Sequence, residues 1–281
     1  MSAAPPSPAS ANPIEQLGAA VASRIEGFGV FAAFVGSTVR WLPVGFTPGR
    51  LGLTLQQLYT VGVGSMSVVM LVGAFVGAVI GIETYNQLAA IGQETRLGGF
   101  IALSVVKQIG PVLAAVMIAG RVGGSVSAEL GTMNVSEQID ALRAMGADPV
   151  GYLVVPRVVA CVVMLPVLTV FSDLMGVYGG YIVVVLGFGV DAADYWGFSE
   201  FLVTSWDVLT GLIKALVFGL LIGLIACFKG FHCGGGASGV GRATTEAFVM
   251  CFIAIIIANF FLAKFLNEIG SLLYGGGGGI G

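Results

Sequence analysis

Charge is what this chain has least of. Asp, Glu, Lys and Arg make up 10% of its 281 residues, against about 25% in an ordinary soluble domain. A water-facing surface cannot be built on that share. With 57% hydrophobic residues, most of the chain must face lipid or other apolar helices, which excludes a soluble enzyme. Histidine is nearly missing too, since His232 is the only one. Neither HExxH nor GxSxG occurs, and none of Lys107, Lys214, Lys229 and Lys264 follows a glycine. A Walker A loop to cradle nucleotide phosphates is therefore absent. The run 234–239 does match GxGxxG, but it sits between apolar stretches with no strand before it and is discounted. The four cysteines form no CxxC pair, so neither a disulfide framework nor a metal site is indicated. The net charge of −3 and the lack of a basic patch argue against nucleic acid. Residues 1–13 are rich in Ala, Pro and Ser and have neither the basic start nor the apolar core of a signal peptide. They read as a short disordered cytoplasmic tail.

Long apolar runs are what the chain does have. A span needs roughly 20 apolar residues to cross about 30 Å of hydrocarbon. Runs over 51–82, 98–120, 158–190, 208–228 and 247–265 meet that need, which predicts an all-α integral membrane protein with about five transmembrane helices. The stretch 27–39 is too short and is flanked by Arg24, Glu26, Arg40 and Trp41. It reads as an N-terminal interfacial helix lying on the membrane. In the first span Gly73, Gly77 and Gly81 repeat every four residues, a small-residue stripe that lets another helix approach closely. Placing the N-terminus inside puts eight of the twelve basic residues on the cytoplasmic side, as the positive-inside rule requires. The C-terminus then lies outside.

Two features of the sequence carry chemistry. In the connection between the second and third spans, Asn134 and Glu137 are spaced as a capping pair. Val135, Ile139 and Leu142 then form one apolar stripe, and Gly146 and Pro149 end the helix. At about 16 Å it is too short to cross a bilayer. It is either a contact for a cytoplasmic partner or a connector lying on the surface. Lys107 and Asp173 are ionisable groups deep in spans, and such groups suggest function by default. Counted from Arg121 and Arg157, both stand about 21–24 Å up on consecutive antiparallel spans. A structural ion pair is expected, with contact to a lipid headgroup as the alternative.

The run GPVLAAVMIAGRVGGSVSAELGTMNVSEQIDAL at 110–142 strongly resembles the MlaE/YrbE family of ABC-transporter permeases. So do GVGRATT at 239–245, the pattern Gln57, Leu58, Tyr59, Val61 and Gly62, and Leu165, Pro166, Leu168 and Thr169 with Asp173. The resemblance implies a permease domain over 51–267, after an interfacial region at 14–50 and before a Gly-rich tail at 268–281. It implies a homodimer with two ABC ATPase subunits and an MCE-domain lipid-binding protein on the outer side. In some members a small STAS-domain protein sits on the ATPases. Members move phospholipids or related lipids between the inner membrane and the outer envelope, or import lipids such as sterols. The partner ATPase uses ATP and magnesium, so this chain is expected to be non-catalytic, with no cofactor or metal of its own. The helix 134–145 would be the coupling helix, with Val135, Glu137, Ile139, Asp140, Leu142 and Arg143 at the ATPase. Val76, Ile80, Leu88, Lys107, Gln108 and Asn259 would line the lipid cavity. Where family members often carry Glu, Arg and Asp, this chain has Gln108, Gln56 and Asn259, which shifts the expected headgroup preference. An ion-coupled secondary transporter using Lys107 and Asp173, and a membrane scaffold without transport, are the competing readings.

Overall fold

In hydrocarbon no water is at hand for an exposed N–H or C=O, so a spanning segment must satisfy its backbone internally. The computed structural model describes residues 13–42 and 51–273, and every regular element among them is helical. We number the helices α1 (Pro13–Trp41), α2 (Leu51–Ala89), α3 (Glu94–Val135), α4 (Gln138–Ala144), α5 (Val150–Gly187), α6 (Ala192–Leu202), α7 (Ser205–Phe231) and α8 (Gly236–Leu273). Five of them, α2, α3, α5, α7 and α8, are long and apolar enough to cross a membrane. The two terminal tails read from sequence lie outside the described residues, apart from the first helical residues of α1 and the last of α8.

The helices outrun the apolar runs that predict them. The second span, expected over 98–120, is part of a helix of 42 residues, about 63 Å at 1.5 Å per residue. Apolar runs stop at polar residues, but a helix that satisfies its own backbone continues into water. Four turns widen to π-helix: Val105–Ile109, Ala119–Gly123, Val150–Val154 and Ile182–Gly187. Such turns occur often at functional sites. The acidic connection before the fourth span holds α6, a helix not expected from sequence. Asp191 caps it by accepting from Ala193 N at 2.6 Å.

The closest packing joins α2 to α5. Gly73, Gly77 and Gly81 face Ser172, Gly176 and Gly180, again four residues apart. A Cβ at Gly73 would lie 2.6 Å from the Ser172 carbonyl oxygen, and one at Gly77 would overlap the Gly176 carbonyl. The main core runs through the middle of the bundle, with Ile118, Leu130, Val158, Leu165, Phe218 and Ile255 at its centre. α1 closes one end of it, where Phe34 packs against Phe228 and Phe231. A second cluster of Leu97, Ile101, Val105, Val184 and Tyr195 fills the opposite, α6 end.

The α2–α5 contact leaves no room for a side chain. Gly77→Leu should lower the thermal midpoint of the purified protein, with about 1–3 kcal/mol lost to overpacking. Gly36→Leu, on a face with nothing within 4 Å, should leave it nearly unchanged. Equal melting of the two variants would mean that the helices separate freely.

Candidate functional site

Proline begins the chemistry of the α6 end. Pro111 has no N–H to give the carbonyl four residues earlier, which is that of Lys107. A side chain supplies the missing donor. The Lys214 ammonium, on α7, donates to the Lys107 carbonyl at 3.0 Å and also to the Gln108 side-chain oxygen. Lys214 is 1% exposed. Lys107 itself turns to the first turn of α7, where its Nζ lies 2.9 Å from Asp207 Oδ1. The other Asp207 oxygen accepts from Thr204 N at 3.1 Å and Thr204 Oγ1 at 2.6 Å, completing a capping box. One carboxylate thus serves both a helix start and an ion pair. Two ammonium groups share this cluster, and Gln108 stands exposed beside them.

Asp173 is not the partner of Lys107, which corrects the expected pair. Its Oδ1 packs against Gly110, buried and without a hydrogen-bond partner among the described residues. Residue counting gives the height of each group in the membrane but not the side of the helix on which it lies. The sequence does carry a signal for Asp207, because a Thr followed three residues later by an acidic side chain marks a capped helix start. Of the other expected cavity residues, Ile80 and Leu88 are half-buried against the cluster around Leu97 and Tyr195. Val76 is half-buried on α2. Asn259 lies on α8 with its Oδ1 buried and unpartnered among the described residues.

At the opposite end the loop helix departs from its expected form. α3 continues to Val135, and α4 begins only after Glu137, which adopts a left-handed backbone with φ 59°. Asn134 therefore caps nothing. Its Nδ2 donates instead to the Cys233 carbonyl at 2.7 Å, in the turn between α7 and α8. Burial pushes the Cys233 thiol up, so it stays protonated and reaches the Gly131 carbonyl at 3.4 Å. The apolar stripe is also divided. Ile139 is fully buried and Leu142 half-buried against the chain's own core, whereas Val135 is exposed on α3. What faces outward is Glu137, Met145 and an ion pair of 2.7 Å between Asp140 and Arg143. An open cavity of about 400 Å³ lies behind α4, lined by Arg143, Asp148, Pro149 and Phe231.

A helical bundle with five helices long and apolar enough to cross a membrane, a polar cluster at one end and a short exposed helix slung between two spans at the other is the architecture of a multi-pass membrane protein. The family model described as permease MlaE matches residues 54–265. The chain belongs to the MlaE permease family. It is 38% identical over 249 residues to a probable ABC transporter permease protein of Rickettsia felis, covering 88% of this chain and 94% of that one. Another probable ABC transporter permease protein, from Synechocystis, is 43% identical over 210 residues, covering 75% and 80%. The intermembrane phospholipid transport system permease protein MlaE of Haemophilus influenzae is 35% identical over 215 residues, covering 76% and 82%.

A pair that is mostly buried reveals itself by non-additivity. Lys107→Met and Asp207→Asn should each destabilise the protein, by up to about 3–5 kcal/mol, because each leaves a charge uncompensated. The double variant should recover much of the loss. Combining Lys107→Met with Asp173→Asn should give additive effects in thermal melting, and coupling to position 173 instead would contradict the observed partner.

Proposed function

We propose that this chain is the lipid-moving subunit of an ABC transporter in the bacterial inner membrane, with ATP hydrolysed by a separate subunit. The observation that carries this reading, beside family membership, is the Lys107, Gln108, Asp207 and Lys214 cluster. A phospholipid needs a polar site for its headgroup at bilayer depth and an apolar wall for its chains. Lys107 and exposed Gln108 suit the first, and the α2 face with Val76, Ile80 and Leu88 suits the second. The N-terminus and α4 lie on the cytoplasmic side and α6 on the outer side, following the distribution of basic residues. Two copies of the chain form the working unit, with an ATPase at each α4 and an MCE-domain protein receiving or delivering lipid at the α6 end. A STAS-domain protein on the ATPases would complete the assembly. The chain itself holds no nucleotide. An ion-coupled carrier built on Lys107 and Asp173 is disfavoured, because Lys107 is engaged by Asp207.

The ATPase contact falls on the outward face of α4, with Glu137, Asp140, Arg143 and Met145. Met145→Asp should leave the chain folded but release the ATPase subunit on size exclusion. Ile139→Asp should instead unfold the α4 region, since it buries a charge in the core. Survival of the Met145→Asp complex with full lipid-stimulated hydrolysis would rule out this docking face. Mass spectrometry of lipids retained by the purified complex tests the cargo, and recovery of no lipid above the detergent background would count against it.

A further inference from the structure

What a polar cluster can bind is set by the groups it leaves unused. In the cluster at the α6 end the acceptors are taken. The Asp207 side chain is 8% exposed, with one oxygen held by Lys107 at 2.9 Å and the other by the Thr204 N–H and hydroxyl. The Lys107 carbonyl, which Pro111 cannot serve, accepts from Lys214 at 3.0 Å. The Gln108 side-chain oxygen accepts from the same ammonium. Asp173 packs its Oδ1 on Gly110 instead of joining the cluster.

Donors remain. An ammonium cannot sit against an amide NH2, so Lys214 fixes which way the Gln108 amide faces. Its oxygen is turned to α7. Its Nε2, with two N–H groups, is left at the exposed side without a partner among the described residues. The Lys107 side chain is 30% exposed and spends one of its three N–H groups on Asp207. Towards lipid the cluster therefore shows donors and positive charge, and no free carboxylate oxygen.

That pattern suits one part of a phospholipid and opposes another. A phosphodiester is an anionic acceptor and takes charge-assisted hydrogen bonds from N–H groups. The ammonium of an ethanolamine or choline headgroup needs an anionic acceptor, and here it would meet Lys107 and Lys214 instead.

We infer that Gln108 makes the cluster a headgroup site for anionic phospholipids, whose phosphate has no compensating amine, in preference to zwitterionic ones. Gln108 Nε2 donates to the phosphate, and Lys107 supplies a neighbouring positive charge. This inference rests on the reading of the chain as a lipid-moving subunit and names the class of lipid that its polar site takes. Gln108→Glu would reverse the preference without harming the fold. Lys214 would gain a charged partner, while the donor turned to the lipid would become a carboxylate oxygen.

The test uses the complete transporter, permease with its ATPase partner, reconstituted in vesicles of equal parts phosphatidylglycerol and phosphatidylethanolamine with the same acyl chains. After re-extraction in mild detergent, retained lipids are counted by mass spectrometry, and the thermal midpoint is measured on the same samples. Wild type should retain phosphatidylglycerol about tenfold over phosphatidylethanolamine, the low end of what one hydrogen bond to a charged group is worth. Gln108→Glu should bring that ratio to one or below, with an unchanged or higher midpoint. A large excess of inorganic phosphate should not displace the lipid. Retention of both lipids in bilayer proportions by wild type, or an undiminished preference in Gln108→Glu, would overturn this inference alone. Displacement by phosphate would make the cluster a soluble-anion site and overturn it too. So would a lower midpoint in Gln108→Glu, because Lys214 would then not be held as described. A wild-type complex that retains no lipid would instead overturn the transporter reading and this inference with it.

Discussion

The demand that every backbone carbonyl find a donor without help from water governs this structure. Regular helix meets it almost everywhere. At two places where the ladder is disturbed, a cation fills the gap. Pro111 withholds its donor from the Lys107 carbonyl, and Lys214 reaches across from α7 to supply one. In the wide turn at the start of α5, the Leu153 carbonyl accepts from Arg157. A carboxylate stands near each, because Arg157 is held by Glu129 and Lys107, whose carbonyl Lys214 serves, is held by Asp207. These two polar clusters are thus set at breaks in the helix ladder, one towards each end of the bundle.

α3 joins those two ends. It carries Lys107 towards the α6 end and Glu129 towards the α4 end, about 33 Å apart at 1.5 Å per residue. A wide turn at Ala119–Gly123 lies between them. A helix interrupted in this way can change its rotation between one half and the other without losing its hydrogen bonds altogether. The arrangement joins the α4 end of the bundle to the polar cluster around Lys107 along one continuous element.

Much of this is legible in the sequence, and the limits are physical. The five spans are readable because an uncharged apolar run of about 20 residues has the length and solubility of a membrane crossing and of little else. Their ends are not, because a helix needs no apolar residue once it leaves the lipid. The glycine stripe on α2 announces a close contact, but only the fold shows that Ser172, Gly176 and Gly180 of the same chain fill it. Asn134 and Glu137 have the spacing of a cap, yet a tertiary acceptor at Cys233 takes the Asn134 side chain and the helix begins later. Lys107 stands out in the sequence as an intramembrane charge, while its partner does not. Spacing along one helix gives depth, whereas a pair between helices also depends on azimuth, which a single sequence leaves open.

The contact between α2 and α5 also bears on how the chain is made. These helices are not neighbours in sequence, since α3 and α4 come between them. About 100 residues separate Gly77 from Gly176, so a ribosome working at ~5–20 residues per second finishes the second half of the contact about 5–20 s after the first. Through that interval the groove of α2 is open to whatever else the membrane holds. It offers bare backbone to any passing helix with small residues at the right spacing. The nascent first span is therefore the segment of this protein most in need of shelter by the insertion machinery, and its maturation is complete only when α5 arrives.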